Sequence, residues 1–153
     1  FEVATAPVDA RGRVDPDAVE ALLDERTILV AVMLANNEVG TIQPVREIAD
    51  RVRERRGIHL HVDAVQGAPY LDLDVAALGA DTVAISAHKF EGPKGVGALW
   101  VRRGTPLLAQ LHGGSQERHR RGGTENVAGA VGMATAYALA CAEKPATPPV
   151  TPH

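Results

Sequence analysis

Ser86-Ala87-His88-Lys89-Phe90-Glu91-Gly92-Pro93-Lys94-Gly95-Val96-Gly97 is the stretch on which the fold turns. An apolar run, Thr82-Val83-Ala84-Ile85, leads into it, and another, Ala98-Leu99-Trp100-Val101, follows it. Both read as short strands. Parallel crossovers need about a dozen residues or more, so the second strand is expected antiparallel to the first. A lysine at the polar end of a strand, beside a histidine and inside a glycine-rich turn, has two readings. In one, Lys89 and Lys94 are solvated loop cations, and these residues alone favour that reading because short motifs match by chance. In the other, Lys89 forms a Schiff base with a carbonyl cofactor, its pKa lowered by burial and neighbouring groups until the lone pair is free.

The chain upstream reads as alternating strands and helices. Phe1 to Pro7 is a candidate strand, closed by a turn at Arg11-Gly12. Asp15 can cap a helix that Pro16 opens, with Val19, Leu22 and Leu23 on one face. Ile28 to Leu34 is a continuous apolar run, as expected of a strand covered on both faces. It ends in the polar loop Ala35 to Gly40. Pro44 starts a helix in which Val45, Ile48, Ala49 and Val52 form an apolar stripe, with Gly57 as its C-cap. His59 to Gln66 is the next strand with its polar end, and Val75 to Leu78 is a helical turn stopped by Gly79. Thr82 to Ala87 then delivers the Lys89 loop.

Downstream, Gly97 to Val101 is the antiparallel strand. His112-Gly113-Gly114 and Arg120-Arg121-Gly122-Gly123 bracket a loop expected to be basic and mobile. Thr124 can cap a last helix from Glu125 to about Glu143, with Val127, Val131, Ala134 and Ala138 at the heart of its buried face. This order of elements implies an α/β architecture with a mostly parallel sheet.

Bulk properties limit the possibilities. The chain has 153 residues, 45% of them apolar and 3% aromatic, so a core must come from Val, Leu, Ile and Ala. A net charge of −3 gives no argument for nucleic acid or an anionic membrane. No apolar run approaches the ~20 residues of a membrane helix, and no signal peptide is evident. The single cysteine, Cys141, excludes an internal disulfide and suits a reducing cytoplasm. The start at Phe1, without a Met, and the Pro-rich end suggest a piece of something larger. Residues 143–153 are expected to form a disordered tail, leaving 1–142 as a partial domain.

In parallel sheets ligands bind beyond the carboxyl ends of the strands. Three successive strand ends carry Asn37, then Asp63 and Gln66, then Ser86, His88 and Lys89. Asp63 could keep a heteroaromatic nitrogen protonated, turning its ring into an electron sink. Asn37 and Gln66 could donate hydrogen bonds to a ring oxygen, and Ser86, His88 and backbone N–H groups could hold a phosphate. Singly, each residue has a blander explanation: a strand-end cap, a turn residue, a satisfied imidazole. Together, on one rim, they favour a cofactor site. A rival is a metal site, since His59, His61 and Asp63 alternate along one strand and share a face. No second cluster of ligand spacing supports it. Lys94 is followed by Gly95, so the loop is not a Walker loop.

Five motifs then occur in order: Ala35-Asn36-Asn37-Glu38-Val39-Gly40, His61-Val62-Asp63-Ala64-Val65-Gln66, Ser86-Ala87-His88-Lys89 with Gly92-Pro93-Lys94-Gly95, His112-Gly113-Gly114-Ser115-Gln116-Glu117-Arg118, and Arg121-Gly122-Gly123-Thr124-Glu125-Asn126. With them the chain resembles, from Phe1 to about Ala142, the cysteine desulfurases, a class-V aminotransferase-like branch of the fold-type-I pyridoxal 5'-phosphate (PLP) enzymes. The resemblance implies a three-layer large-domain core, its sheet mostly parallel with one antiparallel strand and helices on both faces. It implies that Lys89 carries PLP as a Schiff base and Asp63 pairs with the pyridine nitrogen. Asn37 and Gln66 would serve the phenolic oxygen, Ser86 and His88 the phosphate, and Thr124 the phosphate of the partner subunit in a homodimer. The implied reaction takes L-cysteine to L-alanine, leaving sulfur as a persulfide on an enzyme cysteine, for delivery to a sulfur-acceptor or scaffold protein serving iron–sulfur clusters or thiolated tRNA.

The chain departs from the family pattern in lacking the segments that carry the nucleophilic cysteine, the residue stacked on the ring and the carboxylate-gripping arginine. Cys141, in Ala138-Leu139-Ala140-Cys141-Ala142, reads as packed helix and no substitute. The expectation is therefore the PLP-binding core of a cysteine desulfurase, incomplete as this chain, binding PLP weakly, with a strand edge and apolar surface left uncovered. Selenocysteine lyase shares the motifs, and a non-catalytic remnant shares the fold.

Overall fold

The computed structural model describes residues 1–144. The expected tail, 143–153, lies outside that range apart from Glu143, which ends the last helix, and Lys144, which follows it. Two helices precede and follow the first strand. In α1 (Pro16–Ala21), Asp15 caps the helix by accepting from the Asp17 N–H at 3.0 Å, and Pro16 stands at the first helical position, where its missing donor costs nothing. β1 (Leu29–Met33) follows, then α2 (Val45–Arg53). Val45, Ile48, Ala49 and Val52 of α2 are all buried, so its apolar stripe is the one the spacing predicts.

β2 (His59–Asp63), the single turn α3 (Val75–Leu78) and β3 (Thr82–Ser86) come next. Asp74 caps α3, and Gly79, at φ 74°, closes it with the left-handed geometry that glycine adopts without strain. β3 runs into a 3-10 turn, Ala87–Phe90, and then β4 (Gly97–Val101). The single turn α4 (Gln116–His119) includes left-handed Glu117 and Arg118. α5 (Val127–Glu143) is the long terminal helix.

The sheet order is β1-β2-β3-β4. β1, β2 and β3 are parallel, with Met33 beside Asp63 and Asp63 beside Ala84. β4 returns antiparallel, Ser86 facing Gly97, as the short connection requires. Alternation along the strands assigns Val30, Val32, Leu60, Val62, Val83, Ile85 and Trp100 to one face. These pack with Val19, Leu23, Ile48, Ala49 and Val52 into the core.

Several expectations change against the structure. Phe1 to Pro7 forms no strand; Val8 makes a single bridge to Val14. Leu22, the residue that caps the end of α1, is exposed while Val19 and Leu23 are buried. β1 is an edge strand rather than one covered on both faces, and Leu29 is 53% exposed. The α/β architecture is the expected one, and among the described residues the packed apolar layer lies on one sheet face. The other, bearing Leu29, Ala31, His59, His61 and Leu99, contributes nothing to either apolar cluster.

The end of the chain differs too. α5 begins at Val127, capped by Asn126, whose Oδ1 accepts from the Gly129 N–H at 2.9 Å; Thr124 is not the cap. Its packed stripe is Gly129, Gly132, Met133, Ala136, Tyr137 and Ala140, whereas Val127, Val131, Ala134 and Ala138 point to solvent. No charged residue occurs between Val127 and Ala142, so the sequence offers no polar face from which to choose the buried one.

The burial pattern has a direct test. Ile48→Ala, at 0% exposure, is expected to lower the unfolding free energy by about 2–5 kcal/mol, while Val131→Ala, at 62%, changes it by less than about 0.5 kcal/mol. Urea titration of both variants reads this, and a larger loss at Val131 would mean that the outer face of α5 is the covered one.

Candidate active site

Two hydrogen bonds bring the polar strand ends together. The Leu34 N–H, at the end of β1, donates to Asp63 O at 2.8 Å, and the Ala64 N–H, at the end of β2, donates to Ala84 O at 2.9 Å. The exits of β1, β2 and β3 therefore lie side by side on one rim of the sheet. After β1, Asn36 builds the turn, its Oδ1 accepting from the Glu38 N–H at 2.8 Å and the Val39 N–H at 3.0 Å. That bonding leaves Asn37 exposed at the turn. Sequence reasoning singled out Asn37 but missed the supporting role of Asn36. The signal was there, since an Asn two residues ahead of a turn is a habitual Asx builder.

Asp63 ends β2 half-buried, its Oδ1 accepting from the Val65 N–H at 2.9 Å. This bond fixes the carboxylate's orientation and leaves Oδ2 without a hydrogen-bond partner among the described residues. Gln66, also half-buried, lies in the turn that follows. At the end of β3, Ser86 Oγ is 2.8 Å from His88 Nδ1. Lys89 is exposed in the 3-10 turn next to this pair. Asn37, Asp63, Gln66, Ser86, His88 and Lys89 thus share one rim. Thr124 is exposed just ahead of α5, with no hydrogen bond to this group among the described residues.

Glycines shape the loop around Lys89. A Cβ at Gly92 would stand 2.9 Å from Ala87 O, and one at Gly97 would stand 2.8 Å from Ile85 O, so neither position tolerates a side chain without backbone movement. The Gly92 N–H donates to Ala87 O at 2.8 Å and the Ala87 N–H to Val96 O at 3.0 Å, closing the loop on itself.

The two histidines of β2 are otherwise engaged. His59 Nε2 and His61 Nδ1 lie 2.9 and 2.8 Å from the same Thr82 Oγ1, so they are hydrogen-bonded across to β3. No group of three His, Cys, Asp or Glu side chains among the described residues is placed to hold a metal ion. Cys141, read from sequence as packed, is exposed on α5, beside Tyr137.

With this geometry in place, residues 1–145 match the family model described as Aminotransferase class-V. The chain belongs to the class-V aminotransferase family. Over 143 residues it is 50% identical to the cysteine desulfurase IscS of Dictyoglomus turgidum, a match covering 94% of this chain and 36% of that protein. The same enzyme from Methanosarcina thermophila is also 50% identical, with 94% of this chain and 35% of the relative covered. Among solved structures, a NifS-like protein superimposes with a TM-score of 0.89 at 47% identity, over 94% of this chain and 40% of that one. The chain thus spans about a third of the length of the curated relatives it matches. The mostly parallel sheet with one antiparallel strand is the architecture it shares with these neighbours.

Burial on β2 produces a pH dependence. Partial burial pushes the His61 imidazole below its ordinary 6.5, with Asp63 pulling upward and His59 pushing further down. The folded state therefore holds His61 neutral where the unfolded chain has taken a proton. Its contribution to stability is full above 6.5 and declines as pH falls from 6.5 through the lower folded value. Urea midpoints at about pH 7.5 and about pH 5.5 should differ more in the parent chain than in His61→Gln. An equal difference in both would show that the acid sensitivity arises elsewhere.

Proposed function

We propose that this chain is the PLP-binding core of a cysteine desulfurase. The observation that supports it most is the side-by-side placement of Asp63 with Ser86, His88 and Lys89 on one rim, in a chain half-identical to named cysteine desulfurases. The donor set suits the cofactor. A phosphate calls for hydroxyl, imidazole and backbone donors near a cation, which the Ser86–His88 pair and Lys89 supply. A pyridine nitrogen calls for a carboxylate held in one orientation, and the Val65 N–H holds Asp63 so.

When bound, PLP supplies a carbonyl for Schiff-base formation and a ring that withdraws electrons from the substrate's α-carbon. The protein's part is to position and to move protons. Lys89 would hold the cofactor's carbonyl carbon and, with substrate in place, would carry the proton between solvent and the α-carbon. Asp63 keeps the proton on the ring nitrogen. Asn37 and Gln66 donate to the phenolic oxygen, Ser86 and His88 orient the phosphate, and Thr124 donates to the phosphate of a second copy in a homodimer.

The balanced outcome is L-cysteine plus an enzyme thiol giving L-alanine plus an enzyme persulfide, which an acceptor or scaffold protein then takes. We do not assign the thiol to Cys141. It lies beside the Tyr137 hydroxyl, whose pKa burial, followed by the Cys141 contact, pushes up to about 12, so the phenol keeps its proton and is a poor base for activating a thiol. A cytoplasmic setting fits a chain with one cysteine and, among the described residues, no helix long and apolar enough to cross a membrane.

Borohydride trapping tests the assignment even if binding is weak, because reduction makes each Schiff base permanent. Incubation with PLP, reduction and peptide mass mapping should place the phosphopyridoxyl group on Lys89 and find none there in Lys89→Ala. Labelling scattered over Lys94, Lys144 and other amines would overturn the reading.

A further inference from the structure

Lys89 itself touches little, yet the turn that carries it is held firmly from behind. Phe90 is buried, and its ring meets Tyr137 of α5 edge-on, with centroids 5.3 Å apart at 63°. Two glycines of α5 lie close against the rest of the loop. A Cβ at Gly132 would stand 2.7 Å from Pro93 Cγ, and one at Gly129 would stand 2.6 Å from Val96 Cγ2. The pairs run in opposite order: Val96 on Gly129, Pro93 on Gly132, Phe90 on Tyr137. The lysine loop is therefore laid antiparallel along one stripe of α5, in a notch that only glycine leaves open.

Tyr137 is braced in turn. Its side chain lies beside Cys141, and Lys144 Nζ lies 5.6 Å from its ring centroid while donating to Leu71 O at 2.5 Å. The ring cannot turn away from Phe90 without breaking these contacts.

We propose that Tyr137, Gly129 and Gly132 are positioning residues for Lys89: α5 sets where the amine stands on the rim without touching it. This rests on the reading that Lys89 bears the cofactor. A displaced loop would leave the amine present but misaligned, and misplacement by about 1 Å costs reactivity on the order of 100-fold in well-oriented sites.

Lys94, exposed in the same loop, is an internal reference for the test. In the full 153-residue chain treated with limiting PLP and borohydride, the ratio of label on Lys89 to label on Lys94 should fall about tenfold or more in Tyr137→Ala and Gly132→Ala. Tyr137→Phe, which keeps the ring contact, should stay within about twofold of the parent. Pro93→Ala removes the atom that Gly132→Ala would strike, so the double variant should regain the parent ratio. Amide hydrogen exchange at Ala87 and Gly92 gives a cofactor-free readout. It should quicken about tenfold in Tyr137→Ala and Gly132→Ala while Ile48 and Val52 keep their protection. If Tyr137→Ala also loses protection at Ile48, Tyr137→Leu, with more of the bulk, takes its place. Unchanged ratio and unchanged exchange in folded variants would overturn the proposal. Scattered labelling of the parent chain would overturn the cofactor reading alone, leaving the exchange result to decide on positioning.

Discussion

The parallel register of β1, β2 and β3 is the constraint on which the site depends. Each parallel pair aligns the ends of its strands, and the bonds from Leu34 to Asp63 and from Ala64 to Ala84 carry that alignment one residue beyond each strand. Residues far apart in the chain, Asn37, Asp63 and Lys89, arrive on one rim because backbone hydrogen bonds leave them no other place. Their side chains contribute little to this; among the described residues Asp63, Ser86 and His88 make only local hydrogen bonds, and Lys89 makes none. A rim so built can carry chemically demanding groups because the core beneath, from Ile48 to Val62 and Val83, provides the stability.

The apolar surface is distributed unevenly. One sheet face packs against α2 and its neighbours, whereas the other shows Leu29, Ala31 and Leu99 to solvent. α5 is apolar all round but buries one stripe, leaving Val127 and Val131 exposed. Helices of that composition normally lie inside a larger body. Consistent with this, the chain spans about a third of its curated relatives' length, and its exposed apolar surfaces are the kind that further structure covers.

α5 also shows how packing links distant parts of the chain to the rim. Its glycine notch and Tyr137 ring hold the back of the turn whose front presents Lys89. The β2 histidines act differently, sharing Thr82 and stitching β2 to β3 on the open face. Their spacing matched a metal motif because period-two alternation places any two such residues on one face, whatever their task.

Much of this was legible in the amino-acid sequence, because the signals are local. Asp15-Pro16 marks the start of α1, the stripe from Val45 to Val52 marks the buried side of α2, and Gly79 marks the end of α3. The short link from Ser86 to Gly97 dictates the antiparallel return of β4, and the candidate site residues stand out as polar groups closing apolar runs. What only the tertiary structure decided is which surfaces meet. An edge strand and a central one can carry the same apolar run, so β1's exposure was not readable from Ile28 to Leu34. A helix without a polar face has no preferred side until something packs on it. The choice of the Gly129–Tyr137 stripe over Val127 and Val131 was therefore made by the fit of Phe90, Pro93 and Val96 into a notch, a contact between segments that no local pattern records.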